Sequence, residues 1–253
     1  DGTHWKTAGG RGDGPGEFQQ MRALGPFRGD SVAYSDNSLG RVTIFDPEGA
    51  FVRTQMLPAG DDARPRAFDM FEDGSVLGQA PRVLSTSSLQ GDQVLVDSVR
   101  LVRVDLESGA QQHLALAAGP LWLWTGRSQV PIPFTINASF RVSGESVHLV
   151  AGPAFRVRVF EDGRLSQIYG VERDERAATE VDIADYRAFV EEFIAERGWS
   201  DHLSALDHPE RPTVMPAYSQ LLLASDGRVW AKLYSPDFLA GGVWHVFGVD
   251  HVW

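Results

Sequence analysis

The side chains that could do chemistry are scattered through this sequence. Seven histidines occur, at His4, His113, His148, His202, His208, His245 and His251, and no two are spaced H-x-x-x-H. That rules out the helical two-histidine zinc motif. Cysteine is absent, which removes disulfides, thiolate metal sites and a cysteine nucleophile. There is no G-x-S-x-G elbow to expose a nucleophilic serine. Oxygen donors are what is left. Asp36 and Asn37 stand side by side between two strand-like runs, with Asp69 and Asn137 as further candidates by position. Asp and Asn in such places ordinarily close their own turns. They make a cation site only when several segments bring them to one depth.

Two other features are candidates for contact rather than catalysis. Trp122 and Trp124 precede the proline-flanked run Val130-Pro131-Ile132-Pro133-Phe134. Two aromatics exposed on a loop would suit a protein or carbohydrate partner. Arg-Gly-Asp occurs twice, at Arg11-Gly12-Asp13 and Arg28-Gly29-Asp30. Both tripeptides fall where a turn wants glycine and aspartate, so they read as turns.

The elements that would position these residues repeat four times. A turn with glycine and an acidic residue leads into an alternating strand at Gly29–Tyr34, Asp73–Gly78, Gly144–Leu149 and Asp226–Ala231. A second strand follows each, at Val42–Gly49, Val102–Gly109, Val157–Gly163 and Trp244–Asp250. Period-two alternation marks half-buried strands, and recurrence in fixed order marks a repeat architecture. Units with two apolar faces are not stable alone, and radial packing buries both, so the expected fold is an all-β propeller. His4–Ala8 is expected to be a strand and Gly9–Phe18 a connection. That glycine-rich run has neither G-x-G-x-x-G spacing nor a Walker lysine. Residues 81–97 read as an inserted loop or extended hairpin, and 118–134 as an insertion over one end of the domain. One helix is expected over 182–197, capped by Asp182, stopped by Gly198 and carrying Tyr186, Phe189, Val190, Phe193 and Ile194 on one face.

Composition bounds the partners. The chain of 253 residues is 43% hydrophobic and carries a net charge of −11. That balance argues against nucleic acid and anionic membranes, which need a basic face. No apolar run approaches the ~20 residues that span a bilayer. The sequence begins at Asp1 inside a repeat, so a removed export signal is an expectation.

Two motifs together resemble a known group. Gly9-Gly10-Arg11-Gly12-Asp13-Gly14-Pro15-Gly16-Glu17-Phe18, followed by Ser35 to Gly49 with its Arg41-Val42 and Phe45-Asp46 pairs, resembles the bacterial six-bladed β-propellers related to NHL repeats. Val181 to Ile194 and Pro216-Ala217-Tyr218 resemble that group's helical insertion and following blade. The resemblance implies six blades, whereas this chain accounts for about four. It therefore implies one propeller domain over 1–253, incomplete at both ends. It also implies a periplasmic or extracellular setting. In related propeller hydrolases, carboxylates and amides from several blades converge on a central Ca²⁺. Asp36, Asn37, Asp69 and Asn137 are the residues such a site would use, for lactonase-like hydrolysis or a lyase reaction. The leading expectation is a non-catalytic scaffold, without cofactor, that docks onto another protein or larger assembly.

Overall fold

The computed structural model describes residues 6–60, 64–80, 91–194, 201–236 and 242–248. Four antiparallel sheets follow one another along the chain. The first holds β3 (Met21–Phe27), β4 (Ser31–Asp36), β5 (Arg41–Phe45) and β6 (Phe51–Met56), after a short parallel pair, β1 (Gly10–Arg11) and β2 (Glu17–Phe18). The second holds β7 (Arg66–Met70), β8 (Val76–Ala80), β9 (Asp92–Val104), β10 (Gln111–Thr125) and β11 (Gln129–Pro131). The third holds β12 (Ser139–Ser143), β13 (Ser146–Val150), β14 (Arg156–Glu161) and β15 (Arg164–Gly170). Helices α1 (Glu180–Phe189) and α2 (Asp201–Leu206) precede the fourth sheet of β16 (Tyr218–Leu223), β17 (Val229–Leu233) and β18 (Trp244–Phe247).

Within each sheet the order in space follows the order in sequence, and tight turns join neighbours at 46–49, 73–75, 105–109 and 226–228. The repeated acidic residues make those turns. Asp46 accepts the amide of Ala50 at 2.7 Å while Gly49 takes φ 73°. Asp105 accepts the amides of Glu107 and Ser108, Asp73 that of Ser75 and Asp226 that of Arg228. Positive φ costs glycine little, which fixes its place in each turn.

Alternation then gives each sheet two apolar faces, and successive sheets pack through them. Ala33, Val42 and Ile44 of the first sheet meet Val76, Val102 and Val104 of the second. Leu77, Leu101 and Leu114 of the second meet Phe140, Val147 and Leu149 of the third. Val157, Val159 and Tyr169 of the third meet Leu221, Val229 and Phe247 of the fourth. Each wholly buried Leu or Val contributes about 1.5–3 kcal/mol by leaving water. The leading strands β3, β7, β12 and β16 lie beside one another from sheet to sheet. The fold is a β-propeller arc of four blades among the described residues, with the first strand of every blade on the inside.

The N-terminal connection forms a knot on the first blade. Arg41 donates to the carbonyls of Asp13, Gly14 and Glu17 at 2.8–2.9 Å. Asp36 accepts the amide of Gln19 at 2.6 Å. A Cβ on Gly9 would stand 2.7 Å from the Gly16 carbonyl, at φ 79°. The two motif halves read from the sequence are thus one physical unit. Of the strand expected at His4–Ala8, residues 6–8 are described; they carry no strand assignment, and the Lys6 ammonium donates to the Glu48 carbonyl at 2.8 Å, across the β5–β6 turn. His4 and Trp5 lie outside the described residues.

The expected insertions are more ordered than their composition implied. Residues 91–97 and 118–125 extend β9 and β10 into one long hairpin; 81–90 lie outside the described residues. β10 passes Gly119-Pro120 at a register shift, and Pro131 sits in the edge strand β11, the two settings a sheet allows for proline. The helix starts at Glu180, not Asp182. Thr179 is its N-cap and Asp182 completes a reciprocal capping box with it. After Phe189 the winding widens to a π-helical turn over Val190–Ile194. Residues 195–200, with Gly198, lie outside the described set. Tyr186 and Val190 pack with Phe134, Leu206 and Met215. Leu123, Val130 and Ile132 pack with Ala205. Insertions from two blades therefore share small cores of their own. Asp201 ties them together, accepting from Arg127 at 3.0 Å and from Thr125 and Ser128. The Arg127 hydrogen bond, then those of Ser128 and Thr125, hold its carboxyl down at about 2.

Candidate functional site: the inner ends of the blades

Each junction between leading strands is fixed by a polar side chain gripping the next backbone. Asn37 accepts the Ala67 amide at 2.9 Å and donates to the Ala67 carbonyl at 3.2 Å; Ser35 donates to the same carbonyl. Asp69 accepts the amide of Val142 at 2.9 Å. The Ser139 hydroxyl accepts the amide of Leu221 at 2.9 Å. These contacts set the depth of the leading strands relative to one another.

On that base five side chains from three blades gather. The Arg22 guanidinium of β3 stands over the Phe68 ring of β7, its central carbon 4.6 Å from the ring centre. Phe68 meets Phe140 of β12 edge to face at 5.3 Å. Asp69 feels both Arg141 and Arg22. Arg141 gives one guanidinium hydrogen to the Phe140 carbonyl at 2.7 Å. Among the described residues Arg22 donates no hydrogen bond, and neither arginine forms an ion pair with Asp69. Burial, then the charge of Arg141, pulls Arg22 below the usual guanidinium range, with Asp69 partly opposing. Burial pushes Asp69 up, against the amides of Val142 and Met70 and the charges of the two arginines.

The residues singled out from the sequence divide clearly. Asp36 is fully buried and is occupied by backbone. Burial pushes its carboxyl up, but the amides of Gln19, Leu39, Gln20 and Ser38 outweigh it and leave the group low. Asn37 is occupied by Ala67, Asp69 by Val142 and Met70. Asn137 is exposed between β11 and β12. Among the described residues no three His, Cys, Asp or Glu side chains are grouped so as to hold a metal ion. Trp122 and Trp124 are not on a loop; both are half-buried on one face of β10, opposite buried Leu123. The insertion read there is a strand that continues past Pro120 and pairs with β9 and β11.

His148 and His245 are structural. His148 Nδ1 lies 3.0 Å from the Tyr169 hydroxyl, and His245 Nδ1 lies 2.9 Å from that of Tyr218, between the third and fourth blades. Both tripeptides are turns: Asp13 accepts from Gln19, and Arg28 donates to the Asp73 carbonyl and pairs with Glu107. Arg22, Phe68, Phe140 and Arg141 were missed in the sequence. Their signal is faint: a charge or aromatic ring at mid-strand in each leading strand, where alternation alone expects core.

Among the described residues no helix is long and apolar enough to cross a membrane. Neither a protein-family model nor a curated protein matches the chain. Solved structures similar to it include virginiamycin B lyase from Staphylococcus aureus, at 9% identity and a TM-score of 0.35, over 90% of this chain and 69% of that one. A protein of unknown function from Bacteroides caccae gives 8% identity and 0.35, over 92% and 80%. A streptogramin B lyase gives 10% identity and 0.27, over 84% and 76%. Likeness at this level decides nothing about activity.

Proposed function

We propose that this chain is a non-catalytic propeller scaffold that docks onto another protein or a larger assembly outside the cytoplasm. The platform built from two blades supports this reading most. Residues 118–134 and 178–215 are far apart in sequence, yet they share buried contacts at Phe134, Tyr186, Leu206 and Met215 and at Ile132 and Ala205. Ordered insertions on a rigid blade array are the usual carriers of recognition. Val181 stands 68% exposed at the start of α1, an apolar side chain on the outside of that platform. The location outside the cytoplasm and a ring of six blades rest on the family resemblance.

A Ca²⁺-dependent lactonase-like hydrolase or lyase is the competing reading. It needs converging oxygen ligands, and Asp36, Asn37 and Asp69 are engaged with backbone instead. Size-exclusion of a native extract tests the scaffold reading. The chain should elute in a larger species, and Val181→Asp should return it to the size of the purified chain. A chain found only at its monomer size in the extract would contradict the proposal. Retention of Ca²⁺ by protein prepared without chelator would favour the competing reading.

A further inference from the structure

The group at the inner ends of the blades has donors that the fold does not use. A guanidinium held over an aromatic ring by its charge spends no N–H on a hydrogen-bond acceptor there. Arg22 is in that position over Phe68. Arg141 has one hydrogen engaged, with the Phe140 carbonyl. Both are half-buried, so water serves them less well than at an open surface. Among the described residues Asp69 pairs with neither of them; its two oxygens accept the amides of Met70 and Val142. The rest of the chain is strongly acidic, so two neighbouring arginines with unused donors mark a local reversal of charge.

From this arrangement we infer that Arg22 and Arg141 form a binding site for a small organic carboxylate whose flat apolar body lies against half-buried Phe68. Guanidinium matches carboxylate with paired, charge-assisted hydrogen bonds. Two arginines beside one carboxyl leave the group cationic, and the aromatic contact at Phe68 favours an organic carboxylate over inorganic phosphate. Half-buried Phe68, backed edge to face by buried Phe140 at 5.3 Å, supplies the apolar contact. The inference adds a small-molecule site to the scaffold and does not depend on it.

Benzoate, benzamide and inorganic phosphate are the probes, titrated into the purified chain at low salt with ligand-observed NMR. Benzoate should bind at least about tenfold more tightly than benzamide, its neutral isostere, and than phosphate. Arg22→Gln and Arg141→Gln should each weaken benzoate about tenfold. Arg164→Gln, at an exposed position on β15, should leave it unchanged. Equal binding of benzoate and benzamide, preference for phosphate, equal loss in Arg164→Gln, or no binding of benzoate would each overturn the inference. The ranking of the three probes on the unaltered chain stands even if a variant fails to fold.

Discussion

Two regions of this molecule combine arginine with aspartate, and they use them in opposite ways. In the N-terminal knot, Arg41 and Asp36 are buried and turn to the backbone: three carbonyls take the guanidinium, and amides of Gln19, Ser38 and Leu39 take the carboxylate. At the inner ends of the blades, Arg22 and Arg141 flank Asp69 with most of their donors unoccupied. The same residue types make a structural rivet in one place and a candidate site in the other. The difference is the count of hydrogen bonds already made. Arg41 spends three hydrogen bonds on backbone carbonyls, with its buried Nε unpartnered, whereas among the described residues Arg141 spends one and Arg22 none; donors left over on half-buried side chains are where a ligand gains affinity.

The largest effect that could break this comparison is at the knot. Asp36→Ala strips the acceptor from several buried amides, each costing about 1–3 kcal/mol when unsatisfied, so it should lower unfolding free energy by about 3 kcal/mol or more in urea titration. Loss of less than about 1 kcal/mol would remove Asp36 from the structural class. Thr179→Ala is intermediate. It removes one half of the capping box and should cost about 1 kcal/mol, seen as reduced amide protection over 180–190 with the blades unchanged.

The pH response sharpens the comparison further. Asp36 is held low, so its contribution is complete above the ordinary carboxylate range and fades as pH falls below it. Asp69 is pushed up, so its contribution is complete below the ordinary range and fades as pH rises through its raised value. Stability measured from pH 3 to 7 should therefore lose part of its acid-side fall in Asp36→Asn, while Asp69→Asn should remove a small decline on the rising side. The smallest effect is Asp69→Asn at neutral pH, within about 1 kcal/mol, because asparagine keeps one acceptor and sheds an awkward charge.

Much of the fold is legible in the residues. Alternation in Ser31–Tyr34 and Arg41–Phe45 sets β4 and β5, and Asp46-Pro47-Glu48-Gly49 sets the turn from β5 to β6. The start of α1 was displaced by two residues because Asp182 can serve as cap or as N3, and only the presence of Thr179 in extended conformation decides. The length of β10 is hidden because Gly119-Pro120 interrupts the alternation locally, whereas a register shift absorbs the pair in the sheet. α2 has one turn and a half of helix and no apolar period long enough to show. The inner site was hidden for a different reason. Period two says that a strand has two faces, but not that Arg22, Phe68 and Arg141 from three strands meet; that follows from the stacking of whole blades.

A direct test sets Arg41→Gln beside Arg22→Gln in equilibrium urea unfolding at neutral pH. Arg41→Gln should lose about 2–4 kcal/mol, since it leaves buried carbonyls without donors, and Arg22→Gln should stay within about 0.5 kcal/mol of the unaltered chain. Equal losses in the two variants would contradict the division between a backbone-occupied knot and an unoccupied site.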